Sequence, residues 1–256
     1  MWTDRVRQLR DVSVAAWIAE RLDPSWRTIA SVVPTGFDAY ARILHPVQIG
    51  DGRARTWGRV AEVTGQTLHP TAQWHAIIGA ASPDDRNSEL WPDGTPDIGN
   101  LAPEPLLELC EVLARHTTTP EDCYFAVWEG WGQLHGARVW LSSDGGVPAP
   151  PLLTPEELAV PRMKLPGRAY HLFQGPLAAM GDLVRLDGTD WDTQSPALFW
   201  PADRSWCVAT EIDFDSTLVG ASAAAVADVL ATGGLEALPV GPDASLQADA
   251  DHVNQT

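Results

Sequence analysis

Apolar residues Val14, Trp17, Ile18 and Leu22 recur every three or four positions, a spacing that predicts a helix over 11–22 stopped by Pro24. The β-branched run at 28–33 predicts a short strand, closed by Pro34 and Gly36. Phe37, Tyr40, Ala41 and Leu44 then fall on one side of a predicted short helix over 37–44 that Pro46 ends. Thr56 is placed to cap a helix over 57–63, and Gly65 to close it. Leu106, Leu109, Cys110 and Leu113 form one stripe with Leu107 beside it, so 105–116 reads as the clearest helix. Arg115 and His116 sit at its end, where positive charge suits the helix dipole.

Beyond residue 120 the period shortens. The runs 123–128 and 137–141 flank a glycine-rich connection and suggest a hairpin, and 168–173 and 205–214 read as further strands. Residues 154–158 make a brief helical turn, and a last helix over 222–230 stops at Gly233 and Gly234. Two proline-rich stretches, 82–105 and 145–161, lack periodicity and read as long loops. Helices first, then strands with a closing helix, make the expected fold α+β: a mostly antiparallel sheet from the C-terminal half, packed with helices and joined by long Pro-rich loops. Residues 1–241 are expected to form a single globular domain, with 82–105 or 145–161 as the places where it could divide. Residues 242–256, polar and acidic, are expected to be a flexible tail.

The chain has 256 residues, 45% of them apolar, enough to bury a core without disulfides or a structural metal. Cys110, Cys123 and Cys207 stand in apolar runs, where a thiol behaves as a small hydrophobe, and this fits a reducing compartment. The first ten residues are charged and carry no apolar leader, and no apolar run approaches a membrane span. A cytoplasmic location away from membranes is therefore expected. The net charge of −17 is uneven: residues 1–60 hold nine arginines and six acids, residues 61–256 eight bases and 28 acids. Such a body repels nucleic acid and suits a basic protein partner or a small ligand, although solubility alone would also explain it. One lysine, Lys164, against 16 arginines points to a GC-rich genome. Twelve tryptophans call for a structural account.

Candidate chemistry is sparse. On an extended 206–215, Trp206, Val208, Thr210, Ile212 and Phe214 would share the core side, and Cys207, Ala209, Glu211, Asp213 and Asp215 the other. Carboxylates about 6–7 Å apart along one face could hold a hard cation or supply an acid and a base. They could equally pair with an arginine such as Arg168. Trp128, Glu129 and Trp131 lie at a glycine turn and could wall a pocket or pack across the hairpin against Trp140. Tyr40, Arg42 and His45 lie close in sequence, and in a helix Arg42 and His45 would be neighbours able to hold an anion. Asp203 and Arg204 make a corner before the 205–214 strand, where Arg204 could present its fork to an anion or hold the turn. These three polar segments are expected to converge on one surface. His69 and His75 flank Pro70, which rules out a metalloprotease helix. Cys110, His116 and Cys123 lack the tight pair that structural zinc favours. The Gly-x-Ser-x-Gly elbow is absent. Neither a metal nor a cofactor is expected.

Four segments carry a resemblance: 33–46 (VPTGFDAYARILHP), 198–213 (LFWPADRSWCVATEID), 116–120 (HTTTP) and 172–177 (LFQGPL). Together they resemble a family of uncharacterised hypothetical proteins from high-GC actinobacteria, over roughly residues 28–240. The resemblance implies a bacterial cytoplasmic origin and no particular activity. The functional expectation is a non-catalytic binding or interaction protein, with an immunity or antitoxin-like role against a basic toxin as one version. The alternative is an enzyme, hydrolase-like or metal-assisted, using Glu211, Asp213 and Asp215.

Overall fold

The computed structural model describes residues 4–50, 53–136, 151–185 and 193–254. In chain order the strands are β1 (Arg7–Gln8), β2 (Ala39–Leu44), β3 (Val47–Gln48), β4 (Ala54–Arg55), β5 (Thr95–Pro96), β6 (Cys123–Trp128), β7 (Met163–Leu165), β8 (Arg168–Gly175), β9 (Leu198–Pro201), β10 (Trp206–Ala209), β11 (Ser216–Ala221) and β12 (Ala237–Val240). The helices are α1 (Ala16–Arg21), α2 (Trp57–Thr64), α3 (Trp74–Ile77), α4 (Pro103–Ala114), α5 (Pro155–Leu158), α6 (Met180–Val184) and α7 (Ala223–Leu230). The fold is α+β. A sheet in the order β1-β8-β6-β9-β10-β11-β2-β12, with β7 also on β8, is antiparallel throughout, and β4-β3-β5 form a small second sheet. No helix among the described residues is long and apolar enough to cross a membrane.

Both faces of the large sheet are covered, which sets the burial pattern. Helices α4, α6 and α7 pack on one face against Phe125, Phe173, Phe199, Trp206 and Val208. The opposite face, with Tyr40, Leu172, Leu198, Trp200 and Cys207, takes Trp17 and Ile18 of α1, together with Ile29 and Leu246. A third cluster, built from Leu44, Val47, Trp57, Val60, Trp74 and Ile77, joins α2 and α3 to the end of β2. Among the described residues five tryptophans are buried, Trp17, Trp57, Trp74, Trp200 and Trp206, and Trp206 Nε1 donates to the Leu113 carbonyl at 3.0 Å. The thiols are free and buried, and burial raises each thiol's pKa, to about 12 for Cys123.

Several local expectations hold. Helix α2 starts at Thr56, whose hydroxyl accepts from the Arg59 amide, and ends at Gly65 in the left-handed conformation. Strand β6 spans 123–128 as expected, and Ser222 caps α7.

Others are corrected. The segment carrying Tyr40, Arg42 and His45 is not a helix but β2 and its end. Its residues are buried on both faces, so the polar alternation that would signal a strand is missing. Residues 28–33 form a 3-10 turn (Ile29–Ser31) in which Thr28 and Ser31 cap each other. Strand β10 ends at Ala209, and 210–215 turn back into β11, so Glu211, Asp213 and Asp215 are not a row on a strand. Ile212 and Phe214 are only half-buried. Strand β6 pairs with β8 and β9, and the 137–141 half of the expected hairpin, with Trp140, lies outside the described residues.

The C-terminal segment, where an acidic flexible tail was expected, packs against the domain as far as residue 254. The amides of Ala30 and Ile29 donate to the carbonyls of Pro242 and Ala244 at 2.9 Å. Asp251, 2% exposed, accepts from His69 Nε2 at 2.7 Å and from the Gln73 amide at 3.1 Å. Leu246 and Ala250 are buried alongside, which anchors a stretch whose polar composition suggested mobility.

Candidate functional site

Strand β2 carries Arg42 towards the end of the sheet where the α2–α3 cluster and the C-terminal segment meet. Its side chain is 1% exposed, so a charge has been taken out of water. The guanidinium lies 5.5 Å over the Trp57 ring and donates from Nε to Ser216 Oγ at 3.0 Å. One terminal nitrogen donates to the carbonyls of Pro70 (3.2 Å) and Ala72 (2.7 Å). The other stands 3.7 Å from Asp215 Oδ1, too far for a hydrogen bond. Burial lowers the Arg42 pKa to about 10, against the pull of Asp215 and Asp251.

Asp215 is shared. Arg86, from the 82–105 loop, donates to its Oδ2 at 3.2 Å and to the Pro96 carbonyl at 2.7 Å. Two guanidinium groups thus flank one carboxylate at the floor of a cavity of about 520 Å³. His75, Asp213 and Gln247 line its walls, and Asp84 stands at the exposed rim. Gly99, at φ +68°, lets the loop before α4 lie against the 211–214 turn: a Cβ there would come within 2.5 Å of the Ile212 carbonyl oxygen.

His45 sits behind this floor rather than in it. It is 0% exposed, and burial lowers its pKa to about 4, so the ring is neutral. Nδ1 is 2.7 Å from the Asp97 carbonyl, which can only accept, so the proton is on Nδ1. Nε2 therefore accepts from the Thr217 hydroxyl at 2.9 Å, and Thr217 accepts from Thr210 at 2.8 Å. Trp57 Nε1 donates to the His45 carbonyl at 3.0 Å. This network holds the root of β11, and with it Ser216 and Asp215, in place.

The other expected residues divide. Glu211 and Asp213 are both held by Arg168, at 2.6 and 2.7 Å. Burial raises the Glu211 pKa, with Arg168 opposing it. Asp213 lines the large cavity, while Glu211 lines a smaller one of about 140 Å³ beside it. Trp128 and Trp131 pack edge to face at 5.3 Å, and Glu129 pairs with Arg162 at 2.7 Å. Tyr40 donates to the Pro34 carbonyl at 3.3 Å. The Arg204 guanidinium lies 5.5 Å over Trp17, and Asp203 accepts from Thr117, Thr118 and Ser205.

The expected convergence of three segments does not occur. In β6, Cys123 pairs with Pro201 while Trp128 pairs with Tyr170, so the Asp203 corner and the Trp128 turn lie at opposite ends of that strand. Arg42 lies on β2 and His45 just past its end, separated from β6 by β9, β10 and β11. Of the sequence candidates, Arg42 and Asp213 face the large cavity, with Asp215. No sequence pattern marks Arg86 and Gln247, which also line it: one lies in a proline-rich loop and the other in the acidic C-terminal segment. Among the described residues no group of three or more His, Cys, Asp and Glu side chains is placed to hold a metal ion. Comparison with protein-family models, with curated proteins and with solved structures finds no match to this chain.

Proposed function

We propose that the chain is a non-catalytic binding protein that holds a small molecule by an anionic group in the cleft over Arg42 and Arg86. The observation that carries this is the floor of the cleft: two guanidinium groups share the single carboxylate of Asp215, and the buried one lacks a hydrogen bond to it. A buried charge with an unspent donor is costly, and a carboxylate or phosphate oxygen from a ligand would satisfy it. The cavity volume is that of an ordinary small-molecule site. The acidic surface does not oppose this strongly, because exposed charges are screened beyond about 8 Å at physiological salt. Glu211, Asp213 and Asp215 are each tied to arginine, which supports an electrostatic rather than an acid–base role for them.

Thermal-shift and calorimetric titrations with inorganic phosphate, ribose 5-phosphate, alanine and succinate test the proposal. At least one head group is expected to bind, and Arg86→Gln to weaken it about 10–100-fold, the worth of a charge-assisted hydrogen bond. If none of the four binds, or if binding is indifferent to Arg86, the cleft is not an anion site.

A further inference from the structure

Beside the anion cleft lies the smaller cavity, and Asp213, Phe214, Leu246 and Gln247 line both. Its outer wall is Trp26, which combines two unusual properties. Its backbone adopts φ +58°, a conformation that costs a bulky residue free energy, and its indole is 41% exposed. A core tryptophan would offset such strain through burial; Trp26 does not. The conformation is nonetheless held. Gln247 Nε2 donates to the Trp26 carbonyl at 3.0 Å, and the Arg168 guanidinium stands 6.0 Å from the ring centroid. On the far side Gly167, at φ +64°, lies against the ring: a Cβ there would be in van der Waals contact with Trp26 Cζ2, at 3.4 Å. Gln247 thus reaches from the anion cleft to the backbone that sets the indole.

We infer that the two cavities form one bipartite site, in which Arg42 and Arg86 take the anionic group of a ligand and Trp26, with Phe214 between the lobes, stacks against its flat aromatic or heteroaromatic portion. The ligand class is an aromatic carboxylate or phosphate, such as an aromatic amino acid or a nucleoside monophosphate. This rests on the cleft being an anion site and adds the requirement for a ring. An exposed aromatic beside a cation is suited to that ring, since stacking on tryptophan tolerates many ring systems.

Matched probes separate the two claims: ribose 5-phosphate against adenosine monophosphate, and alanine against phenylalanine, titrated calorimetrically into the wild-type chain, Trp26→Gly and Arg86→Gln. Glycine is the informative replacement because it removes the ring and accepts the positive φ without strain, and a urea titration checks that the variant still folds. Within at least one pair, the ring-bearing probe is expected to bind about tenfold or more tightly than its ringless partner. Trp26→Gly should erase that advantage without changing the affinity of the ringless probe, and Arg86→Gln should weaken both. If ringed and ringless probes bind alike, or if Trp26→Gly keeps the discrimination, the bipartite site is refuted while the anion cleft stands. If no probe binds, both fail.

Discussion

The large sheet has a charged turn at each end of β10, and the two use their charges differently. At the β9–β10 corner, Asp203 spends its carboxylate inside the protein: Oδ2 accepts from the Thr117 hydroxyl at 2.9 Å and from the Thr118 amide and hydroxyl at 2.7 and 2.8 Å, and Oδ1 from the Ser205 amide at 3.1 Å. Arg204 lies over Trp17. At the β10–β11 turn, Asp215 answers two arginines and satisfies neither completely, and the remainder faces a cavity. Both turns look alike as sequence, an acid near an arginine or an aromatic. The difference lies in whether the polar valences close on the fold or stay open to a ligand, and only the second arrangement supports recognition.

The largest effect is expected from the open end. Arg42→Met removes the buried cation and strands the Ser216 hydroxyl and the Pro70 and Ala72 carbonyls, so urea unfolding should show a loss of about 3–5 kcal/mol. Arg86→Gln, at a half-buried residue, should cost no more than about 1 kcal/mol. Near-equal losses would mean that Arg42 is not the structural floor of the cleft, and the contrast between the two ends would weaken.

How far the sequence disclosed this follows from where the signals are local. Helix α2 was legible because Thr56 and Gly65 are chemical punctuation, and β6 because a β-branched and aromatic run is bounded by turns. Strand β2 carries a misleading helical signature because Phe37, Tyr40, Ala41 and Leu44 fit a helical spacing, and burial on both faces removes the alternation that would contradict it. Arg42, Asp213 and Asp215 were visible as residue types, but in the wrong geometry. Arg86 and Gln247 reach the cleft across 129 and more than 200 positions from Asp215 and Arg42 respectively, and nothing near either residue announces it. The C-terminal segment shows the same limit: its composition is that of a free tail, and contacts with Ile29, Ala30, His69 and Gln73 hold it.

Acidification should separate the two ends by pH. His45 is neutral when folded, with its pKa lowered by burial to about 4 from the ordinary 6.5. The unfolded chain therefore binds a proton first as pH falls. Stability held above pH 6.5 is lost progressively down to about 4, on the order of 2–3 kcal/mol. His171, also 0% exposed and lowered to about 4 by burial with Arg162 nearby, contributes in the same window. Urea midpoints between pH 7.5 and 4.5, together with proton uptake on unfolding near pH 5, measure this. A midpoint that does not move would show that these histidines are protonated in the fold. A loss that shrinks in His45→Gln would assign its share to the cleft end.

A smaller effect than those at Arg42 and the histidines is expected at the closed corner. Burial pushes the Asp203 carboxyl up, but the hydrogen bonds from Thr118 and Ser205 outweigh it and bring the pKa to about 2. With the folded pKa below the unfolded value near 4, the unfolded chain takes up the proton first, so the corner's contribution is intact above about pH 4 and lost between about 4 and 2, below the window of the histidines. Asp203→Asn keeps the shape but turns one acceptor into a donor facing the Thr117–Thr118 hydroxyls and amide, and the charge assistance disappears. A loss of about 1–2 kcal/mol at neutral pH is expected, with the part of the acid transition that lies below pH 4 diminished. Binding of phosphate, alanine or any other probe of the cleft should be unchanged, because the corner lies at the opposite end of β10 from Asp215. An Asp203→Asn protein that folds normally but binds those probes differently would show that the two ends communicate through the strand, and the division between a closed and an open charged turn would have to be given up.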